Sequence, residues 1–120
     1  LEQIRYINKS VSLIKTKLNN PIFYLWSNDL FSIPEDLLEF KFKKIDLTSQ
    51  KIKFDQRIYS LFLLSQCKHF IVTTSTFNWW GAWLSNYKNK IIIRPDDIFF
   101  SNFRVNNRDF WPNDWIKLGF

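Results

Sequence analysis

Apolar residues recur along this chain in two alternating rhythms, and that alternation confines it to one class of fold. Ile4, Ile7, Val11, Ile14 and Leu18 fall at three- and four-residue steps, the spacing of an amphipathic helix. Asn19-Asn20-Pro21 ends it, because proline cannot continue the hydrogen-bond ladder. Ile22-Phe23-Tyr24-Leu25-Trp26 is then a continuous apolar run that suits a buried parallel strand, closed by Ser27-Asn28-Asp29. Pro34-Glu35-Asp36 carries the proline and acids of a helix start. Lys43-Lys44-Ile45-Asp46-Leu47 predicts a second strand. Phe54-Asp55 opens a further helix, with Asp55 as candidate N-cap and with Ile58, Leu61, Phe62 and Ser65 on one face. Residues 69–73 predict a strand, 77–86 a helix, and Lys90-Ile91-Ile92-Ile93-Arg94 the clearest strand of all, ended by Pro95-Asp96-Asp97. Helix and strand thus alternate four times, the order of an α/β fold with a parallel sheet and helices on both faces. The rest reads as irregular and aromatic, through Phe99, Phe100, Phe103, Phe110 and Trp111, and Pro112-Asn113-Asp114-Trp115-Ile116 reads as one helical turn.

At 120 residues the chain has the length of one domain, and 46% apolar with 19% aromatic residues argue against disorder. No apolar run approaches the roughly 18 residues of a membrane span, and Leu-Glu-Gln-Ile-Arg-Tyr is not a secretory leader. With no methionine anywhere, Leu1 is not expected to be a native start, and the chain reads as a fragment of something longer. The single cysteine, Cys67, fits a reducing compartment and a packing role. One Cys and one His two positions apart do not make a zinc site. The net charge of +6 suggests an anionic partner, but the basic residues are scattered apart from Lys41, Lys43 and Lys44, which read as a solvated surface.

In parallel sheets ligands bind beyond the carboxyl ends of the strands. Those ends are residues 27–29, 73–76 and 94–96, and they are expected to lie near one another. At the second, Thr73-Thr74-Ser75-Thr76 joins a strand directly to a helix. Free N–H groups and the positive end of the helix dipole then point at one spot, a natural anion site. Thr74, Ser75 and Thr76 offer short hydroxyl donors, one of which should cap the helix and leave the others for a ligand. Gly81 and Ala82 are small enough for the helix to pack closely on the sheet. Trp79, Trp80 and Trp83 point in different directions, at about 100° per residue, so at least one should line a cleft or an interface. The alternative is that Ser and Thr here are ordinary N-caps and the tryptophans ordinary packing. With only Gly81 and Gly119 in the chain, a glycine-rich phosphate loop or dinucleotide fingerprint is excluded.

These residues carry a resemblance. Ser65-Gln66-Cys67-Lys68-His69-Phe70-Ile71-Val72, followed by Ser75-Thr76-Phe77-Asn78-Trp79-Trp80-Gly81-Ala82-Trp83-Leu84, resembles the C-terminal motif of the α-1,2-fucosyltransferases, glycosyltransferase family 11. Phe23-Tyr24-Leu25-Trp26-Ser27-Asn28-Asp29, Lys90 to Pro95 and Asp114-Trp115-Ile116 resemble the flanking segments of that family. The resemblance implies two facing Rossmann-like domains of the glycosyltransferase B type, this chain being the C-terminal, donor-binding half and lacking the N-terminal, acceptor-side domain. It implies metal-independent, inverting transfer of fucose from GDP-fucose to the 2-hydroxyl of a galactose-containing acceptor, with no cofactor, in cytoplasmic surface-glycan machinery peripheral to the inner face of the membrane. Ser75 and Thr76 would hold the diphosphate, Thr74 and Asn78 would assist, and Phe77 and Trp79 would shape the nucleotide pocket.

Two departures stand out. Where the family has an acid able to recognise guanine, this chain has Ser60, which cannot accept two guanine N–H bonds as a carboxylate does. Asp55 is the candidate substitute, five residues earlier and on a different side of the helix. The His-x-Arg-Arg-Gly-Asp segment of the N-terminal half is missing, so the fragment alone is not expected to catalyse. His69 stands at the far end of its strand from the hydroxyl turn, over about 10 Å away, too far for proton transfer, and reads as structural. Asp96 and Asp97 are better placed near a ligand, with turn capping as their default role. A second reading is a non-catalytic module for carbohydrate or nucleotide derived from the same fold. A nucleic-acid partner is not expected: an RNA-binding sheet shows aromatics on an open face, and these strands read as buried on both sides.

Overall fold

The computed structural model describes residues 2–27, 29–46, 55–96 and 109–119. Asn28, Leu47, Phe54, Asp97, Phe99, Phe100 and Phe103, named above, lie outside them. Helix α1 spans Glu2–Lys17, β1 Tyr24–Leu25, β2 Lys43–Lys44, α2 Gln56–Ser65, β3 Phe70–Ile71, α3 Thr76–Leu84, β4 Ile92–Pro95 and β5 Ile116–Leu118. All strand pairs among the described residues are parallel, in a two-stranded sheet β1-β2 and a three-stranded sheet β3-β4-β5. The expected parallel α/β fold is therefore present, in two sheets.

Three expectations need correction. Only a 3-10 turn, Glu35–Leu37, stands where a helix was expected to start at Pro34, and another, Leu30–Ser32, precedes it. Ile33 precedes proline and is extended (φ −73°, ψ 124°), which separates two turns too short to become one helix. The strand read as buried is only half so: Tyr24 is 47% exposed, because β1 is two residues long and pairs on one side only, with β2. At the other end, residues 112–116 do not finish the chain as a helical turn. Trp115 N–H closes one turn on the Pro112 carbonyl (3.2 Å), and Ile116-Lys117-Leu118 then alternates apolar and polar as β5.

Strand alternation sorts the larger sheet into two faces. Phe70, Val72 and Ile92 point to one side and join Leu64 of α2, Ala82 of α3, Trp111 and Trp115 in one core cluster. Ile71, Ile93, Ile116 and Leu118 point to the other and meet Tyr6, Ile7 and Ile14 of α1. Helices thus cover both faces, as the element order requires. Val72 and Ile93, one for each side, are fully buried, and such burial contributes about 1.5–3 kcal/mol per side chain.

α1 is fixed to the sheet by a polar contact as well as apolar ones. The buried Tyr6 hydroxyl lies 2.5 Å from the Val72 carbonyl oxygen and 3.0 Å from that of Ile93, bridging the end of β3 to β4. Burial raises its phenol above the ordinary tyrosine range, so it stays a proton donor. One turn on, Ser10 returns its hydroxyl to the Tyr6 carbonyl (2.7 Å) and is fully buried, a residue small enough to let α1 approach. Asn8 ties the same helix to the segment before β2, donating to Leu37 O (2.9 Å) and accepting from Glu39 N (3.1 Å).

On the other face α2 and α3 pack against each other through Gly81. A Cβ built there falls 2.4 Å from Leu64 Cδ2 and 2.6 Å from its Cγ, and Leu64 is itself core. The close approach that Gly81 permits is therefore to α2; Ala82, fully buried, is the small residue that meets the core over the sheet.

Two substitutions test these contacts. Tyr6→Phe keeps the ring but removes the phenol donor from the Val72 carbonyl, while Ile93 O keeps the Val72 N–H, and urea denaturation should show a loss of about 1–3 kcal/mol with the fold retained. Gly81→Ala gains about 1 kcal/mol of helix propensity, yet overpacking against Leu64 costs about 1–3 kcal/mol, so the protein should be less stable. A gain in stability would show that Leu64 moves aside freely.

Candidate functional site

The carboxyl edge of the larger sheet gathers the residues that the sequence singled out. Val72 N–H bonds the Ile93 carbonyl (2.8 Å), so β3 and β4 end side by side. α2 leads into the amino end of β3, and α3 leads from its carboxyl end back to β4. The two helices therefore run the same way, and their far ends are pinned by the Ser85 hydroxyl on the Cys67 carbonyl (2.9 Å). Their N-termini, Asp55 and residues 74–78, accordingly open on the carboxyl edge. Pro95, the end of β4, stands at that same edge with Thr73 and Thr74, and Tyr6 and Gln3 of α1 line the same small pocket. Of the ends expected to converge, those of β3 and β4 do. From the end of β1, Trp26 packs against the α2/α3 core cluster, while Ser27 and Asp29 are exposed.

The turn itself is closed differently from expectation. Ser75 is the N-cap residue of α3 with extended backbone (φ −87°, ψ 131°), but its side chain makes no capping hydrogen bond. Asn78 instead reaches back from the first turn and donates to Thr73 Oγ1 (2.7 Å). Thr74, Ser75 and Thr76 are all exposed. A helix N-terminus carries about half a positive charge in N–H groups pointing outward, and here the hydroxyls beside it face solvent. The arrangement can accept an anion of phosphate size on short donors. Arg94, which the sequence reading did not single out as a cation, adds a charge at the same edge, its guanidinium lying over the Trp111 ring at 5.3 Å. Strand alternation was the available signal: Arg94 follows Ile92 on the α2/α3 face.

Phe77 and Trp79 sit half-buried against the core. Trp79 donates its indole N–H to the Phe110 carbonyl (2.8 Å) and stacks on Trp83, with centroids 5.4 Å apart and planes 14° from parallel. It also touches Trp115 and Trp80. As the helical spacing required, the three tryptophans do not share one direction: Trp80 and Trp83 remain 49% and 52% exposed. At the other end of α3, the Lys90 ammonium donates to the carbonyls of Ala82 (3.0 Å), Ser85 (2.9 Å) and Trp83 (3.5 Å), capping the helix C-terminus.

The two residues considered for base recognition sit apart on α2. Asp55 is its N-cap, accepting from Arg57 N (2.8 Å), while the Arg57 guanidinium bonds both of its oxygens. Those bonds hold the carboxyl below its usual range. Asp55 is thus engaged in capping. Ser60 is half-buried about 7.5 Å further along the helix.

Cys67 packs half-buried on the core, and burial raises its thiol, which disfavours the thiolate. His69 is structural. Its Nδ1 accepts from Ile91 N–H (2.9 Å), which places the ring proton on Nε2, and its edge meets Tyr87 at 5.4 Å. Among the described residues, no group of three or more His, Cys, Asp or Glu side chains gathers at metal-binding distance. A groove of about 730 Å³ lies at the opposite end of the molecule, among Lys15, Asn20, Phe23, Phe40 and Lys41, remote from the hydroxyl turn.

Comparison with known proteins places this geometry. Glycosyl transferase family 11 matches the chain over residues 2–119. The chain belongs to that family. It is 32% identical over 117 residues to the alpha-1,2-colitosyltransferase of Escherichia coli, a match covering 95% of this chain and 38% of that protein. It is 40% identical over 58 residues to the O-antigen biosynthesis glycosyltransferase WbnK of Escherichia coli, covering 48% of this chain and 18% of the relative. The chain therefore spans less than two fifths of the length of either relative. No solved structure matches it. The family expected from the Trp-Trp-Gly-Ala-Trp segment is the family found.

His69 supplies a pH test. Burial first, and Lys68 second, lower its pKa below the ordinary histidine value, which is about 6.5. A depressed value means that the unfolded chain binds the proton more tightly. The contribution to stability is thus complete above about pH 6.5 and is lost as pH falls through the folded value. In His69→Asn the amide oxygen can accept from Ile91 without titrating. Its thermal midpoint should fall less than that of the natural protein on acidification from pH 7.5 to about pH 5. A gap between the two proteins that does not change with pH would assign His69 no titrating role.

Proposed function

We propose that this chain is the donor-nucleotide side of an inverting, metal-independent α-1,2-fucosyltransferase, moving fucose from GDP-fucose to the 2-hydroxyl of a galactose-type residue during surface-glycan synthesis. The observation that carries the reading is the uncapped start of α3. In a family 11 chain, the N–H groups of a helix and the free hydroxyls of Ser75 and Thr76 face solvent at the carboxyl edge of the sheet, where β4 ends in Arg94 and Pro95. When the bond between the sugar and the diphosphate breaks, negative charge grows on the diphosphate. Donors already aimed at that charge need no reorganisation, which is how such sites lower a barrier. Ser75 and Thr76 would hold the diphosphate, with Thr74 beside them, and Asn78 would fix the turn through Thr73. Phe77 and Trp79 would set the floor of the nucleotide pocket from inside the core.

The acceptor side, the base that deprotonates the attacking hydroxyl and a further cation for the leaving diphosphate would come from the remaining length that the relatives possess. In that proposal the 120 residues bind donor but do not transfer sugar alone. A second reading, in which the sugar is colitose, is favoured by the identity to the alpha-1,2-colitosyltransferase. It uses the same diphosphate clamp and changes only the sugar contacts.

Calorimetry with GDP, GMP and ADP tests the site. GDP should bind weakly but more tightly than GMP, through its second phosphate, and more tightly than ADP. Ser75→Ala/Thr76→Ala should weaken GDP at least about tenfold, equivalent to about 1.4 kcal/mol. Equal affinity for GDP and ADP would mean that, with Ser60 in place of an acid, the chain is a nucleotide module without guanine specificity. Absence of any nucleotide binding to the folded chain would overturn the reading.

A further inference from the structure

We propose that the outer face of α2 and α3 docks on an anionic lipid surface. Both helices cover the same side of the larger sheet, so their exposed sides look the same way, away from it. Ile58 and Phe62 stand one turn apart on α2; Trp80, Trp83 and Leu84 stand at three- and four-residue steps on α3, and all five are 48–68% exposed. Large apolar side chains grouped in this way mark an interaction surface.

Its charge identifies the occupant. Residues 56–95, which carry both helices, hold Arg57, Lys68, Lys88, Lys90 and Arg94 and no acid; the acids outside them include Asp55, held by Arg57 at the α2 N-cap, and Asp109 and Asp114 in the segment that packs on Trp79. Arg57 bonds Asp55, Lys90 caps α3 and Arg94 lies over Trp111, so Lys68 and Lys88 are the exposed cations at the helix C-termini. Lys68 lies over the ring of Tyr87, itself exposed, at 5.6 Å. Tryptophan and tyrosine with apolar bodies and polar tips, rimmed by lysines on long apolar stems, suit the boundary between headgroups and acyl chains. Among the described residues no helix is long and apolar enough to cross a membrane, so the contact is a surface one, of the amphipathic kind. The face leaves the hydroxyl turn open. The helix C-termini, where Tyr87, Lys68 and Lys88 lie, are at the end opposite the carboxyl edge, so the cationic end of the face is away from the hydroxyl turn.

Co-sedimentation of the 120-residue chain with vesicles tests this, using phosphatidylcholine alone or in equal parts with phosphatidylglycerol. At low salt, partition into the anionic vesicles should be at least about tenfold stronger, since lysines near such a surface are attracted to its anionic headgroups. Phe62→Ser/Trp83→Ser should reduce it about tenfold or more through lost apolar insertion. Lys68→Glu/Lys88→Glu should abolish it at the same salt, and because both residues are exposed this variant tests the face even where the first fails to fold. Lys15→Glu/Lys41→Glu makes the same change in net charge on the α1 side and should bind like the natural protein. Equal loss in that control would mean general charge attraction and overturn the proposal. So would absence of vesicle binding, or a concentration-dependent dimer that Phe62→Ser/Trp83→Ser dissolves and vesicles do not. Nucleotide affinity should be unaltered in Lys68→Glu/Lys88→Glu, which separates this inference from the donor site.

Discussion

One phenol holds the carboxyl edge of this protein together. The Tyr6 hydroxyl meets two neighbouring carbonyls where β3 ends, that of Val72 just past β3 and that of Ile93 within β4. The Ile93 carbonyl already accepts from Val72 N–H, but the Val72 carbonyl lies just past the end of β3, and leaving it buried without a donor would be costly. By placing its donor there, α1 both covers one face of the sheet and finishes its hydrogen bonding. The next residues of β3 are the hydroxyl turn, so the position of the candidate site depends on a residue at the start of the first helix.

The other face is set by contact distances of a different kind. Gly81 lets α3 meet α2 at Leu64, and Ala82 lets it meet the core over the sheet. Trp79 wedges against the 110–115 segment through a hydrogen bond to Phe110 and stacking on Trp83. These three positions orient α3 about its own axis, which in turn decides that Trp80 and Trp83 face outward. Packing on the inner side and exposure on the outer side are therefore one constraint: a nine-residue helix with three tryptophans cannot bury them all.

Much of this was legible from residue order. The 3.6-residue rhythm of α1 and α2, the Asp55 cap and the continuous run in β4 are local signals, and they located those elements. What stayed hidden depends on contacts distant in sequence. β5 is three residues that become a strand only because β4 offers an edge. The centre of the buried stripe on α1 includes Tyr6 and Ser10, which a count of apolar residues passes over. A hydroxyl cap was expected at the hydroxyl turn, but Asn78 satisfies Thr73 instead, a five-residue side-chain contact that propensity does not encode. The aromatic motif named the family and left open which of its rings lie inside; only the packing of the 110–115 segment decides that.

Lys90 changes the electrostatics of the turn from a distance. Left alone, α3 would be a dipole, its positive start partly cancelled by its negative end, with a field that fades quickly. The ammonium of Lys90 sits on the carbonyls of that negative end and outweighs their charge of about −0.5. Helix and lysine together then act as a net positive charge with one face open to solvent. Such a field falls off with distance more slowly than that of a dipole, within the limit set by salt. An approaching anion is thus drawn toward the Ser75 end before it touches a hydroxyl.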